Sequence, residues 1–358
     1  MITLAVAIAL IIFFVFINLY PFRFVRSQER KLSEDVPDVY VYSYQVHLHT
    51  QFSYDSLGKP EDVVESMERE DIDYVLVTDH ENDAIRHFCN DRTIAGIERK
   101  ITDGKGSIMG DLLEFGSVKV IAHAFKEKYR WKLSRDKEYL LELINLKDAL
   151  MDSKPKLFLF LLYMAMLYPF LKRSSLGLLK KVIDIEKYAL AYLKDDWKNK
   201  AVGGLDHHVK VYIREVGIRF LFPSYRLSFS IMRNFLISGR RVKSCDDFLN
   251  TLKTELSIIS FQNKPSLVWE NNGKVCVQTP FENSLIFLSS GKGALCFRGS
   301  SAWADLEEGI YIVYAYTYSF KIGNLYLGLS PLFITSLEVC YGRKTPTPVD
   351  KTEDNREV

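Results

Sequence analysis

Val46-His47-Leu48-His49-Thr50-Gln51-Phe52-Ser53-Tyr54-Asp55 ends a strand-like apolar run in two imidazoles and a carboxylate, and its reading decides the fold. Along a β-strand the side chains at i and i+2 share a face, so His47 and His49 converge while Leu48 packs behind them. Imidazoles at that spacing are metal-ligand types. The same grammar recurs downstream. Asp73-Tyr74-Val75-Leu76-Val77 stops at Thr78-Asp79-His80, and Thr93-Ile94-Ala95-Gly96-Ile97 leads into Glu98. Val118-Lys119-Val120-Ile121-Ala122 leads into His123, and Ala201-Val202-Gly203-Gly204-Leu205 into Asp206-His207-His208. Of the seven histidines, only His87 lies away from such a strand end, and it reads as a solvated helix residue.

Short β-branched runs separated by helical segments, with functional groups at their C-terminal ends, describe an α/β barrel whose site lies at the mouth. The first crossover helix is legible in Lys59-Pro60-Glu61-Asp62-Val63-Val64-Glu65-Ser66-Met67-Glu68. Proline stands in its first turn, acids lie near the positive end of its dipole, and Val63, Val64 and Met67 form one stripe.

These motifs resemble those of the PHP (polymerase and histidinol phosphatase) family of metal-dependent phosphoesterases over roughly residues 40 to 240. The matching stretches are HLHTQFSYDS with the following GKPEDVV, VLVTDHEN, AGIE, IAHA followed by LELINLKDAL, and GGLDHH. The resemblance implies a distorted (β/α)7 barrel, two to three divalent ions per chain (zinc, manganese or iron), and hydrolysis of a phosphomonoester or phosphodiester. By position, His47, His49, Glu98 and Asp206 would hold one ion, and Glu98 would bridge to a second bound by His123. Asp55, His80 and His208 would hold a third. His207 falls on the variable middle position of the family's Asp-x-His. Asp79, His80 and His208 are the candidate catalytic residues, with Asp79 either orienting the His80 imidazole or capping the strand end.

The chain departs from the pattern between Glu98 and His123, where the family usually places another histidine. Ser107, in Gly106-Ser107-Ile108-Met109-Gly110, stands where that histidine is expected. A serine hydroxyl is a poor ligand for a borderline-soft ion, so the resemblance here predicts a weak, water-completed or empty second position. A catalytically weakened barrel acting as a membrane-tethered binding or scaffolding module is therefore the alternative to an enzyme.

At 358 residues, 47% hydrophobic and 26% charged, the chain has material for a barrel and a further domain. A net charge of +2 argues against nucleic acid as an obligatory partner. Residues 1–22 carry no charged side chain and read as a transmembrane anchor or a signal peptide, the anchor being favoured because bulky Ile17-Asn18-Leu19-Tyr20 replaces a cleavage site. Arg23, Arg26, Arg30 and Lys31 in the 23–39 linker then place the single-pass protein's catalytic domain in the cytoplasm, with export as the alternative. The barrel is assigned to 40–245, with an apolar insertion at 154–173. Its 157–171 core is short for a bilayer span and reads as a core helix or as a helix at the membrane interface. Leu176 to Lys198 reads as one long amphipathic helix and Phe229 to Ile237 as the closing helix.

From 255 to 342, closely spaced β-branched runs divided by turn signals predict a small β-sandwich, similar to an immunoglobulin-like module. The tail, 343–358, reads as disordered. Cys89, Cys245, Cys276, Cys296 and Cys340 form no CxxC pair and read as reduced thiols, although Cys276 and Cys296 could pair in an oxidising compartment. The anchor and the insertion point to a phosphorylated small molecule or lipid near a membrane as substrate.

Overall fold

In a computed structural model the described residues are 13, 15–16, 19–32, 36–215, 218–271 and 273–340. Most of the expected anchor and all of the 343–358 tail lie outside them. Strand β1 (Phe22–Phe24) comes first. After it come β2 (Tyr40–Leu48), α1 (Pro60–Arg69), β3 (Tyr74–His80), β4 (Thr93–Thr102), β5 (Ile108–Phe115) and β6 (Val118–Ala122). Next are β7 (Leu140–Asn145), α2 (Leu146–Met151), α3 (Lys154–Leu171), α4 (Ile185–Lys194) and β8 (Ala201–Gly204). An antiparallel pair, β9 (Val211–Glu215) and β10 (Ile218–Phe222), precedes α5 (Tyr225–Ile231), β11 (Arg233–Ser238), α6 (Cys245–Thr254) and β12 (Leu256–Ser260).

The rest is β-structure. It comprises β13 (Leu267–Asn271), β14 (Lys274–Gln278), β15 (Ser284–Ser290), β16 (Gly293–Arg298) and β17 (Ser301–Asp305). It ends with β18 (Gly309–Thr317), β19 (Phe320–Ile322), β20 (Leu325–Leu327) and β21 (Ser330–Val339). The fold is mixed α/β with a second β region. One 13-stranded sheet runs β16-β15-β18-β21-β12-β11-β2-β3-β4-β5-β6-β7-β8. A three-stranded sheet, β13-β14-β17, packs over its far end through Val268, Val275 and Val277 against Ile286, Leu288 and Val313. The second region is thus not a separate bead, because β12 pairs with both β11 and β21.

Local chemistry explains the elements that frame the site. Helix α1 starts where the Lys59 N–H donates to the Asp62 carboxylate at 2.9 Å, with Pro60 next and Val63 and Met67 turned into the core. Strands β2, β3 and β4 are parallel, as are β6, β7 and β8, while β4-β5-β6 is an antiparallel meander. The chain after β8 returns to β2. Leu205 N–H donates to Val46 O (2.9 Å), His207 N–H to His47 O (3.3 Å), and His49 N–H to His207 O (3.0 Å). The C-terminal ends of β2 and β8 therefore lie side by side.

Four expectations need correction. Helix α5 ends at Ile231, and Arg233–Ser238 is a strand between β2 and β12, since its short apolar run fits a buried strand as well as a helix. The span from Leu176 to Lys198 is broken. A 3-10 segment, Lys172–Val182, gives way to α4 at Asp184, whose carboxylate accepts from Lys187 N–H at 3.2 Å. The first part of the 23–39 linker is docked. Gln28 N–H donates to Cys296 O (3.0 Å), Arg298 N–H to Gln28 O (2.8 Å), and the Arg30 guanidinium lies over Trp303. Helix α3 is not a core helix, because only Phe160 in it is buried.

Candidate metal centre

The site is built on the C-terminal ends of β2, β3, β4, β6 and β8. The β2–β3 register shifts between Val46 and Leu48, and His47 at that bulge has φ 65°. His123 (φ 51°) and Asp206 (φ 47°) are also left-handed. Such backbone in a non-glycine residue costs on the order of 1–3 kcal/mol and persists where surrounding contacts over-determine it. Here it turns three side chains into one cleft.

Glu98 sits in the middle. Its carboxylate lies 3.4 Å from His47 Nε2, 3.2 Å from His49 Nε2, 3.0 Å from His80 Nδ1 and 3.5 Å from His123 Nε2. Asp206 faces the same ring, 3.9 Å from His47 Nε2, 3.6 Å from both His49 Nε2 and His123 Nε2, and 3.2 Å from His208 Nδ1. Asp55 reaches in from the loop after β2, 3.0 Å from His208 Nε2 and 3.5 Å from His80 Nε2.

The outer atoms set the tautomers. His47 Nδ1–H donates to Glu142 (2.7 Å) and His123 Nδ1–H to Asp148 (2.7 Å). His208 Nδ1–H donates to the Asp206 carbonyl (2.9 Å). The Ser53 hydroxyl donates to Asp79 (2.8 Å), so at 3.1 Å it accepts from His49 Nδ1–H. Each of these four rings thereby keeps Nδ1 on its outer partner and turns Nε2 toward the carboxylates.

The inward atoms fit a cation. Among the described residues, Nε2 of His47, His49 and His208, Oε2 of Glu98, and Oδ1 of Asp55 and Asp111 are buried with no hydrogen-bond partner. A buried polar atom left unpaired costs about 1–3 kcal/mol, and a cluster of acceptors aimed at one point is what a metal site requires. Ligands at 2.0–2.1 Å in a tetrahedral shell stand about 3.3 Å apart, close to the observed spacings.

Charge is coupled just as tightly. Burial alone would pull the His47 imidazole down, but Glu142 and Glu98 push it up to about 10. His123 is raised well above the usual imidazole range against the same opposition, by Asp148 and Glu98. Glu98 and Asp206 are held low despite burial, Glu98 by His47 and His123, Asp206 by His47, His123 and Lys147. Burial and the nearby Glu98 raise Asp111 to about 6.

No protein-family model matches the chain, and no curated protein matches it. A solved structure does. It is a two-domain protein containing a predicted PHP-like metal-dependent phosphoesterase from Bacteroides vulgatus, 13% identical, covering 87% of this chain and 100% of that one with a TM-score of 0.33. The chain thus has a PHP-like neighbour among solved structures. At that distance the similarity bears on no single residue, and the side chains themselves carry the reading.

The fold brings Asp55, His80, Glu98, His123, Asp206 and His208 to one cleft of about 180 Å³, bordered also by Tyr54, Lys100, Lys126 and Lys147, with His47 and His49 fully buried behind it. Five ligand-type groupings occur among the described residues: His47, His49 and Asp206; Glu98, Asp111 and His123; His49, Asp55, His80 and His208; and two that take in the outer carboxylates, His47 with His123 and Glu142, and His123 with Asp148 and Asp206. His207 stands apart, its Nδ1 on Ser228 Oγ (2.7 Å) and its ring against Tyr225.

Two readings change. Ser107 lies on an exposed turn, its N–H on Asp103, so it does not take the missing histidine's place. Asp111, buried, groups with Glu98 and His123 instead. Asp79 does not touch the His80 ring. It accepts from Thr50 N–H (2.6 Å), Thr50 Oγ1 (2.7 Å) and Ser53 Oγ, and so acts on His49 through Ser53.

Sequence reading missed Glu142, Asp148 and Lys147. Glu142 also accepts from His123 N–H (2.8 Å), and Lys147 Nζ lies 3.1 and 3.0 Å from the two Asp206 oxygens. The one available signal was LELINLKDAL itself, three charged residues inside an otherwise apolar strand and helix start.

Proposed function

We propose that this protein is a PHP-type metal-dependent phosphoesterase, held at a membrane by residues 1–22, that hydrolyses a phosphomonoester or phosphodiester. The observation that carries the reading is the convergence of unpaired Nε2 atoms on unpaired, buried carboxylate oxygens. In this reading β2 to β8 form a distorted seven-stranded barrel, with the bonds from β8 back to β2 as its seam, and the β region beyond is immunoglobulin-like.

His47, His49, Glu98 and Asp206 would hold one ion, Glu98, Asp111 and His123 a second, and Asp55, His80 and His208 a third, with zinc, manganese and iron all suited to such sets. Bound ions would supply an acidified water and charge stabilisation for in-line displacement at phosphorus. The chain's own groups do the rest. Glu142, Asp148 and Ser53 lock the ring tautomers, while Lys100, Lys126 and Lys147 border the cleft with positive charge for phosphate oxygens. Tyr54 stacks on His80 at the edge of the cleft.

The basic residues after position 22, with no CxxC pair among the cysteines of the sequence, support a cytoplasmic site acting on a phosphorylated small molecule or lipid. The test is hydrolysis of p-nitrophenyl phosphate and bis-p-nitrophenyl phosphate by the full chain and by a His47→Ala, Asp206→Ala variant of matching circular dichroism. Turnover lost in the variant is expected, whereas equal turnover in both overturns the assignment.

A further inference from the structure

Two apolar surfaces lie open close to where the N-terminal segment meets the folded body. The first is the three-stranded sheet β1-β20-β19. Its registers pair Phe22 with Leu327, Phe24 with Leu325, Phe320 with Leu327 and Ile322 with Leu325. Side chains two apart in a strand share a face, so all six fall on one side. Phe24, Phe320 and Ile322 are 75, 64 and 67% exposed there, while the opposite side carries Arg23, Lys321 and the buried Tyr326.

The second is α3, Lys154–Leu171, with no polar face. A helix that is apolar all round is ordinarily buried in protein or in lipid. Apart from Phe160, the described residues leave this one largely uncovered: Phe158, Met166 and Phe170 are 64, 72 and 82% exposed. It is the one described helix long and apolar enough to cross a membrane by length and composition. Crossing is ruled out by its connections. The helix joins β7, which carries Glu142, to β8, which leads to Asp206, and those strands are paired neighbours, with Lys147 Nζ 3.0 Å from Asp206.

Both surfaces adjoin the same stretch of chain. Residues 1–22 are uncharged, and at their end the Tyr20 ring meets the Lys181 ammonium, on the 3-10 segment that follows α3. Two residues later the chain enters β1. Lys154 and Lys172 flank α3, placing cations where lipid headgroups would lie.

We propose that α3 and the β1-β20-β19 face are together a bilayer-contacting surface, so that the body of the protein lies against the membrane instead of hanging from its N-terminal segment. This rests on the membrane reading of residues 1–22 and not on the phosphoesterase reading. The partner is a lipid surface containing anionic headgroups, with α3 lying in the interface plane.

The test uses the full chain in vesicles of phosphatidylcholine and phosphatidylglycerol, with and without brominated acyl chains. Met166→Trp reports on α3, Phe320→Trp on the sheet face, and Phe88→Trp, exposed beside Phe52 and part of neither surface, is the control. Tryptophan fluorescence above the wild-type background is compared between the two lipids, and flotation records whether the protein is bound.

Loss of the added signal at 166 and 320 but not at 88 is expected. Protein that floats yet shows no loss at 166 or at 320 overturns the shared surface and leaves the anchor intact. Protein that does not float overturns both, and neither outcome touches the hydrolysis assays above.

Discussion

Glu142→Gln perturbs the site from behind two candidate ligands, His47 and His123, without replacing either. In the native arrangement one carboxylate oxygen accepts from His47 Nδ1–H at 2.7 Å and the other from His123 N–H at 2.8 Å, with the Asn145 amide donating to both at 3.2 Å. Glutamine offers one oxygen to these donors, and its NH2 must face one of them. If the NH2 faces His123 N–H, a buried donor loses its partner, at about 1–3 kcal/mol of stability. If it faces His47, the ring must accept at Nδ1, which moves the proton to Nε2 and onto the atom aimed at the cluster. Loss of such an outer carboxylate ordinarily weakens metal binding about 10–100-fold, or roughly 1.4–2.8 kcal/mol. Titration of zinc against a chromophoric chelator, with the variant's melting temperature measured alongside, reads both effects. An unchanged zinc dissociation constant refutes the claim that Glu142 sets the His47 tautomer.

Other positions give sharper contrasts. In Gly204→Ala the new Cβ would lie 1.7 Å from Glu142 Oε1, so the variant should lose both metal affinity and thermal stability, and normal metal content would contradict that packing. Asp111→Ala should lower the number of ions per chain measured by elemental analysis, while Ser107→Ala leaves it unchanged; the reverse would restore the serine reading. Burial, helped by Lys181, lowers the Lys180 ammonium from 10.5 to about 8. Between those values the unfolded chain binds more protons, so unfolding free energy rises from about pH 8 to pH 10.5 on this residue's account. Denaturant melts of wild type and Lys180→Met should therefore differ by a pH-dependent amount across that window, and a constant difference contradicts the shift.

How far the sequence could be read depended on whether partners were local. His47, His49, His80, His123 and Asp206 each terminate a short apolar strand, so periodicity alone located them and fixed the side of the sheet on which they gather. The residues that orient them were hidden by distance. Glu142 reaches His47 from 95 positions away and Asp148 reaches His123 from 25, and a carboxylate within an apolar strand has no spacing rule to announce it. Asp111 was masked by a turn: the β4–β5 hairpin leaves Ser107 at its exposed tip and brings Asp111 back to pair with Ala122 beside His123. The strand at Arg233–Ser238 reads as the end of a helix because its apolar residues, Phe235 to Ile237, are too few to show a period. The sequence likewise gives no sign of the docking of residues 21–32, which depends on strands some 270 to 300 positions later.

The most direct test of the central claim is the metal content of the full-length protein, purified without chelators and measured by plasma mass spectrometry beside His47→Ala, Asp206→Ala. The account predicts about two to three divalent ions per chain in the wild type and a clear loss in the variant. A wild-type chain that carries no metal, and takes up neither zinc, manganese nor iron when each is supplied, contradicts it.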